Sequence, residues 1–211
     1  MTRDQYLQRW SSIHGGAQIT GIVKGWLHIS YFIGTRLKWI NPNLLSSSAL
    51  LFAALYLVWI PAPLSILFLV LTLAIDGLDG SVAIISNRTS KFGAVLDSVI
   101  DRIVESIWAL GLYFMGAPWQ IVFAAWLFAF VQEYLRARAA GLGESDIGVV
   151  TIAERPVRAT LIFIALIASN LNVATSNESA SIAAFAWSVM QLFALLTLLR
   201  SLRLRLRQSR H

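Results

Sequence analysis

The sequence contains no cysteine and few charged residues, and both absences limit what the protein can be. Without cysteine there is no disulfide framework and no thiol chemistry. Only 13% of the 211 residues are charged and 57% are hydrophobic, whereas soluble domains carry about 25% charged residues. The composition therefore excludes an ordinary soluble domain and predicts an integral membrane protein with a single membrane domain.

The few charges that remain are mostly positive, with a formal net charge of +6. A basic protein often binds nucleic acid, but for a chain this apolar an anionic membrane surface is the better partner. We therefore expect membrane lipids as partners and no nucleic acid. In the basic tail, residues 201–211, arginine alternates with leucine, and we interpret this tail as a cytoplasmic anchor to lipid head groups.

The first 40 residues are expected to lie outside the bilayer. Residues 1–16 are polar and lack the apolar core of a secretory signal, so no cleavable signal peptide is predicted. Residues 17–39 mix basic side chains with tryptophan and tyrosine, which is typical of an amphipathic helix on the membrane surface. A spanning helix is the alternative for this segment. The break Asn41-Pro42-Asn43 then separates this segment from the apolar part of the chain.

Segment 41–200 is predicted to be the membrane domain, because it contains six apolar runs long enough to span a bilayer. These runs are residues 44–60, 64–85, 93–115, 119–139, 151–169 and 180–199. The predicted fold is therefore an all-α integral membrane protein, with about six transmembrane helices preceded by an interfacial amphipathic helix.

The connections between the runs predict their orientation. Residues 61–63, 116–118 and 170–179 contain no lysine or arginine. The basic residues at the opposite ends of the runs are Arg88 and Lys91, then Arg136, Arg138, Arg155 and Arg158, and finally the arginines of the tail. By the positive-inside rule, both termini face the cytoplasm of a multi-pass protein in the cell membrane.

Four aspartates interrupt the apolar runs in the stretch DGLDGSVAIISNRTSKFGAVLDSVID. Asp76 and Asp79 are three residues apart, and Asp97 and Asp101 are four apart, so each pair lies on one helix face. A short polar turn at residues 86–91 would bring the pairs together. A carboxylate at bilayer depth costs at least ~2.5 kcal/mol, so four together indicate a binding site for Mg²⁺ or Mn²⁺, with two ions expected. The alternative is that they are helix caps and interfacial ion-pair partners.

This stretch resembles the signature of the CDP-alcohol phosphotransferases, D-x2-D-G-x2-A-R-x8-G-x3-D-x3-D. One position departs, because Ile84 stands where the family has arginine. The matching residues are Asp76, Asp79, Gly80, Ala83, Gly93, Asp97 and Asp101.

The resemblance implies a reaction and a set of roles. It implies transfer of a phosphatidyl group from CDP-diacylglycerol to a phosphorylated polyol, with release of CMP, by a homodimer in phospholipid biosynthesis. All four aspartates would bind metal, and Asp101 would also accept the proton of the acceptor hydroxyl. Arg88 would supply the charge missing at position 84. The residues expected around CDP-diacylglycerol are Asp79, Gly80, Ala83, Arg88 and Gly93.

A second basic segment, Gln132 to Arg158, carries arginines at both ends of a connection. Arginine offers a planar fork suited to phosphate, although positive-inside topology alone would also place it there. The runs Tyr134–Ala139 and Thr151–Arg158 resemble the actinobacterial phosphatidylinositol phosphate synthase branch of the family. That branch implies inositol phosphate as acceptor, and glycerol 3-phosphate is the alternative. The residues expected to bind the acceptor phosphate are Arg136, Arg155 and Arg158.

Two other classes of protein remain open from the sequence. Acidic residues on facing membrane helices also bind ions in cation transporters. The substitution at Ile84 is also compatible with an inactive homologue or a structural membrane subunit.

Overall fold

The computed structural model describes residues 1–13, 15–143 and 151–208 of the chain. These residues form eight α-helices and no strand, which confirms the predicted all-α class. The helices are α1 (Arg3–Ile13), α2 (Gly21–Leu37), α3 (Pro42–Trp59), α4 (Leu64–Ile85), α5 (Lys91–Phe114), α6 (Trp119–Ala140), α7 (Arg155–Asn170) and α8 (Ser176–Gln208).

Three helices in the described part of the chain are long and apolar enough to cross a membrane. They are Pro42–Trp59, Leu64–Ile85 and Ser176–Leu206, which correspond to the first, second and sixth predicted runs. Helices α5 and α6 match the third and fourth runs but are not among these three candidate spans. Six spans and their orientation therefore stay predictions.

Helix α7 is shorter than its predicted run. It begins at Arg155 rather than at Thr151 and has 16 residues. The preceding Glu154 has an extended backbone and Pro156 occupies the first turn, where its missing N–H removes no intrahelical bond. Thr151 and Glu154 thus lie in the connection before the helix.

The amino-terminal segment contains a helix that the sequence analysis did not predict. Helix α1 packs against α2, and its first turn is closed by reciprocal hydrogen bonds between Thr2 and Gln5. The backbone N–H of Thr2 donates to the Gln5 side chain at 2.9 Å, and the N–H of Gln5 donates to Thr2 Oγ1 at 3.4 Å. This arrangement is a capping box, a recognised signal for the start of a helix.

The chain divides into two compact units. The first comprises Met1–Ala53 and Val70–Val104, and the second comprises Ala54–Leu69 and the residues from Glu105 onward. Within the second unit, α6 and α7 both pack against α8. The predicted division into membrane and flanking segments at residues 40 and 200 stays a prediction. The predicted boundary between membrane domain and basic tail falls inside α8, which continues to Gln208 because no helix-breaking residue interrupts the arginine–leucine repeat.

The polar turn predicted between the aspartate pairs is present. Helix α4 ends at Ile85, and Asn87 adopts a left-handed backbone conformation with φ of 56°. Ser90 then caps α5, because its hydroxyl accepts the backbone N–H of Gly93 at 2.9 Å. Arg9 of α1 donates a hydrogen bond to the Asn87 side chain, and this bond links α1 to the turn.

Two glycines of α4 face different surroundings within the first unit. A Cβ atom added at Gly77 would lie 2.4 Å from the ring of Trp26, so this indole packs directly against the α4 backbone. A Cβ atom added at Gly80 would meet no atom within 4 Å. Gly77 is thus required for packing of α2 on α4, whereas Gly80 borders open space.

We expect Gly77→Ala to destabilise the protein by about 1–3 kcal/mol, because the Trp26 ring must move to admit the methyl group. Gly80→Ala is the matched control in the same helix, and it should be neutral or stabilising by up to about 1 kcal/mol because alanine favours helix. Thermal unfolding of the purified protein in detergent measures both. Equal changes for the two variants would contradict the packing role of Gly77.

Candidate active site

Three of the four predicted aspartates form one group. Asp76 of α4 and Asp97 and Asp101 of α5 each offer a carboxylate oxygen, and these atoms lie within 4.8 Å of one another. All three side chains are partly buried. Mg²⁺ and Mn²⁺ are hard ions that prefer oxygen ligands, so this donor set fits a divalent metal.

Asp79 lies beside this group and has partners of its own. It is buried, with 4% of its surface exposed. One carboxylate oxygen is hydrogen-bonded to the hydroxyl of Ser46, and the other accepts the backbone N–H of Gly80 at 2.5 Å. These bonds fix the carboxylate at the cavity wall, and its role as a metal ligand stays a prediction.

A cavity of about 940 Å³ in the first unit brings the aspartates together with the predicted nucleotide-binding residues. Asp76 and Asp97 line it, and Arg88 and Lys91 add positive charge from the turn. The space next to Gly80 is open. All the residues predicted to contact CDP-diacylglycerol border this cavity, namely Asp79, Gly80, Ala83, Arg88 and Gly93.

The amino-terminal helices supply a wall of this cavity that the sequence analysis missed. Trp10 of α1 and Trp26 of α2 both line it. Tyr6 anchors α1, because its hydroxyl lies 2.8 Å from that of Ser81. Burial raises the pKa of Tyr6, so the phenol stays neutral. Ile84, where the family has arginine, is buried in an apolar cluster with Tyr6.

Ser46 is the other site residue that was missed, although a signal for it existed. It ends the run Pro42–Ser46, PNLLS, which opens α3. A hydroxyl one turn into a membrane helix can bond the backbone, and Ser46 also lies 3.1 Å from the Pro42 carbonyl. Its contact with Asp79 joins residues 33 positions apart, which spacing alone does not reveal.

The arginines predicted to bind phosphate lie in the second unit, and two are paired with carboxylates. Arg136 makes a bidentate contact with Glu154, with N–O distances of 2.6 and 3.0 Å. Arg158 is 1% exposed, and its Nε atom lies 2.6 Å from Glu105. Arg155 is buried with its guanidinium 5.1 Å from the centre of the Trp108 ring. A role in acceptor binding stays a prediction for all three.

A buried chain of hydrogen bonds connects these pairs. Arg158 donates to Gln191 at 3.3 Å, and Gln191 donates to Gln132 at 2.8 Å. Gln132 in turn contacts the Thr151 hydroxyl at 3.3 Å. Thr151 donates to Glu154 through both its N–H, at 2.8 Å, and its hydroxyl, at 2.7 Å. Residues of α6, α7 and α8 therefore share one polar network.

Comparison with known proteins agrees with this geometry. The described helices are those of a membrane protein, and their clustered aspartates form a candidate metal site. The family model described as CDP-alcohol phosphatidyltransferase matches residues 39–203, and the chain belongs to this family. Membership favours an enzyme over the cation transporter that the sequence left open.

The names of two relatives both specify an inositol phosphate head group. The chain is 34% identical over 147 residues to an archaetidylinositol phosphate synthase from Aeropyrum pernix, covering 68% of this chain and 75% of the relative. It is 35% identical over 88 residues to a phosphatidylinositol phosphate synthase from Cutibacterium acnes, covering 38% and 42%.

A solved structure shares the fold. The crystal structure of the Mycobacterium tuberculosis phosphatidylinositol phosphate synthase with CDP-DAG bound superposes with a TM-score of 0.70 and 20% sequence identity. The match covers 83% of this chain and 94% of that one. Because the sequence identity is only 20%, this structural match supports the helical fold alone.

The Arg136–Glu154 pair makes stability depend on pH. Burial alone would raise the pKa of Glu154, but hydrogen bonds from Arg136 and Thr151 lower it from 4.5 to about 2. Folding therefore favours the ionised carboxylate. The resulting stabilisation is fully present above pH 4.5 and is lost as the pH falls toward 2.

We expect Glu154→Gln to lower the free energy of unfolding by about 1–3 kcal/mol at neutral pH, because two charge-assisted hydrogen bonds are lost. The difference from wild type should be constant between pH 8 and the ordinary glutamate pKa of 4.5, and should shrink at more acidic pH. Thermal unfolding of both proteins across this range measures it. A difference that already narrows near neutral pH would contradict the assignment.

Proposed function

We propose that this protein transfers the phosphatidyl group of CDP-diacylglycerol to inositol phosphate, releasing CMP and forming phosphatidylinositol phosphate. The observation that carries the proposal is the group of Asp76, Asp97 and Asp101 beside a cavity lined by the remaining family-signature residues. Such carboxylates suit a reaction on a diphosphate, where negative charge must be balanced.

The acceptor is proposed from what the relatives have in common. The names of the relatives from Aeropyrum pernix and Cutibacterium acnes differ in the lipid but share an inositol phosphate head group. The Arg136–Arg158 network supports a phosphorylated acceptor, because arginine binds phosphate through paired N–H donors. Mass spectrometry of products, with inositol phosphate and glycerol 3-phosphate offered separately, tests this choice.

The metal would be held by Asp76, Asp97 and Asp101, with Asp79 as a further ligand. When bound, one or two Mg²⁺ or Mn²⁺ ions would neutralise the diphosphate and favour departure of CMP. Arg88 and Lys91 add positive charge on the same cavity wall. Gly80 leaves room for the nucleotide, since no atom lies near its missing side chain.

The chemical step is a displacement at the β-phosphorus. The acceptor hydroxyl oxygen forms a bond to that phosphorus, while the bond to the oxygen that bridges the two phosphates breaks. CMP leaves with the electron pair of this bond. A carboxylate oxygen of Asp101 takes the hydroxyl proton, and a base at this position raises the nucleophilicity of the attacking oxygen.

The cellular arrangement belongs to the same proposal. The three apolar helices place the protein in the membrane, and the distribution of arginine supports cytoplasmic termini and an active site open to the cytoplasm. We further propose that the protein acts as a homodimer.

Metal dependence gives a first test. We expect CMP release to stop in excess chelator and to return when Mg²⁺ or Mn²⁺ is added in excess, because clustered aspartates cannot accommodate a diphosphate without a cation. CMP release from CDP-diacylglycerol by purified protein measures this. Undiminished turnover in excess chelator would refute the metal's role, and absence of turnover under all conditions would indicate an inactive homologue.

Asp101→Asn gives a second test, because the amide keeps the side-chain shape but cannot accept a proton. We expect CMP release to fall by about 10²-fold or more, in line with loss of general base catalysis. Asp4→Asn, an exposed change in α1, is the matched control and should keep normal activity. Turnover of Asp101→Asn within a fewfold of wild type would remove Asp101 from the chemical step.

A further inference from the structure

Glu133 of α6 lies between two arginines of the proposed acceptor site. A single atom, its Oε1, is 3.4 Å from Nη1 of Arg136 and 3.6 Å from Nη2 of Arg158. One anionic oxygen that faces two guanidinium groups is the arrangement that a phosphate oxygen adopts between paired arginines. Glu133 therefore occupies a position that suits an anion from outside the protein.

The carboxylates around these arginines oppose the binding of an additional anion. Glu105, Glu133 and Glu154 each place a carboxylate against Arg136 or Arg158. A phosphate that approached both arginines would be repelled by these carboxylates. Its binding requires that one of them move away.

Two of the three carboxylates are held firmly. Glu105 is 2% exposed and lies 2.6 Å from Arg158, so its removal would leave a buried charge without its close counter-ion. Glu154 combines a bidentate contact from Arg136 with two hydrogen bonds from Thr151. Displacement of Glu105 would break its close contact with Arg158, and displacement of Glu154 would break several short hydrogen bonds.

Glu133 is held weakly by comparison. Its contacts of 3.4 and 3.6 Å exceed the 2.7–2.9 Å typical of charge-assisted hydrogen bonds. Its side chain is also 26% exposed, so rotation into water costs little desolvation energy. Of the three carboxylates, that of Glu133 is the one that an incoming phosphate can replace.

We propose that Glu133 occupies the place of the acceptor phosphate and is displaced when this phosphate binds. This inference rests on the proposed function and deepens it. A phosphate group can replace the lost contacts to both arginines, whereas a neutral polyol cannot.

Binding of inorganic phosphate tests the displacement without catalysis. We expect Glu133→Gln to bind orthophosphate about two- to fivefold more tightly than wild type, because the competing charge is gone. Calorimetric titration of the detergent-solubilised protein measures the Kd, with chelator present so that no metal at the aspartates binds phosphate. Glu133→Asp keeps the charge and should resemble wild type. Glu178→Gln removes an equal charge from the exposed start of α8 and controls for net charge.

Steady-state kinetics supply the second readout. The KM for inositol phosphate should fall about two- to fivefold in Glu133→Gln, while the KM for CDP-diacylglycerol stays constant. An unchanged or weaker phosphate Kd, or equal changes in both KM values, would overturn the proposal. If wild type releases no CMP, the proposed function fails, and the phosphate Kd alone decides the role of Glu133.

Discussion

The structure depends most on how charged side chains are accommodated in largely apolar helices. A carboxylate placed there loses hydration, and this loss must be offset by a cation or by hydrogen bonds. The two units offset this lost hydration in different ways. In the first, Asp76, Asp97 and Asp101 face one another with like charges, an arrangement that favours a divalent ion. In the second, Glu105 is matched by Arg158 from within the protein.

This difference distinguishes the residues suited to catalysis from those that stabilise the fold. A group of like charges is unfavourable until a cation binds, which makes it suitable for a reaction on a diphosphate. In a buried and matched ion pair the charges are neutralised within the protein, so only donor groups that face away from the pair, such as Arg158 Nη2 near Glu133, can bind a ligand. Burial and pairing also distinguish the two arginines. Arg158 is buried against Glu105, whereas Arg136 remains partly exposed on the other side of Glu133.

Local features of the site could be predicted from the sequence, but most of its partners could not. The aspartate spacing and the turn depend on residues close together in the chain, and the structure retains them. Even α1 had a local signal in Thr2 and Gln5. The pair Glu105–Arg158 and the contact Ser46–Asp79 join distant parts of the chain, and helix periodicity carries no information about them. Spacing also could not show that Asp79 lies outside the group of three.

The arginines illustrate why residue type alone misleads about function. From the sequence, Arg136, Arg155 and Arg158 indicate either topology or phosphate binding, and both readings assume that the guanidinium groups are available. In the folded chain, carboxylates contact Arg136 and Arg158, because a buried guanidinium without an anion would cost several kcal/mol. A phosphate site built from such arginines must therefore contain an internal anion when it is empty. Its affinity for phosphate then depends on how weakly that anion is held, which is set by distance and exposure rather than by the number of arginines.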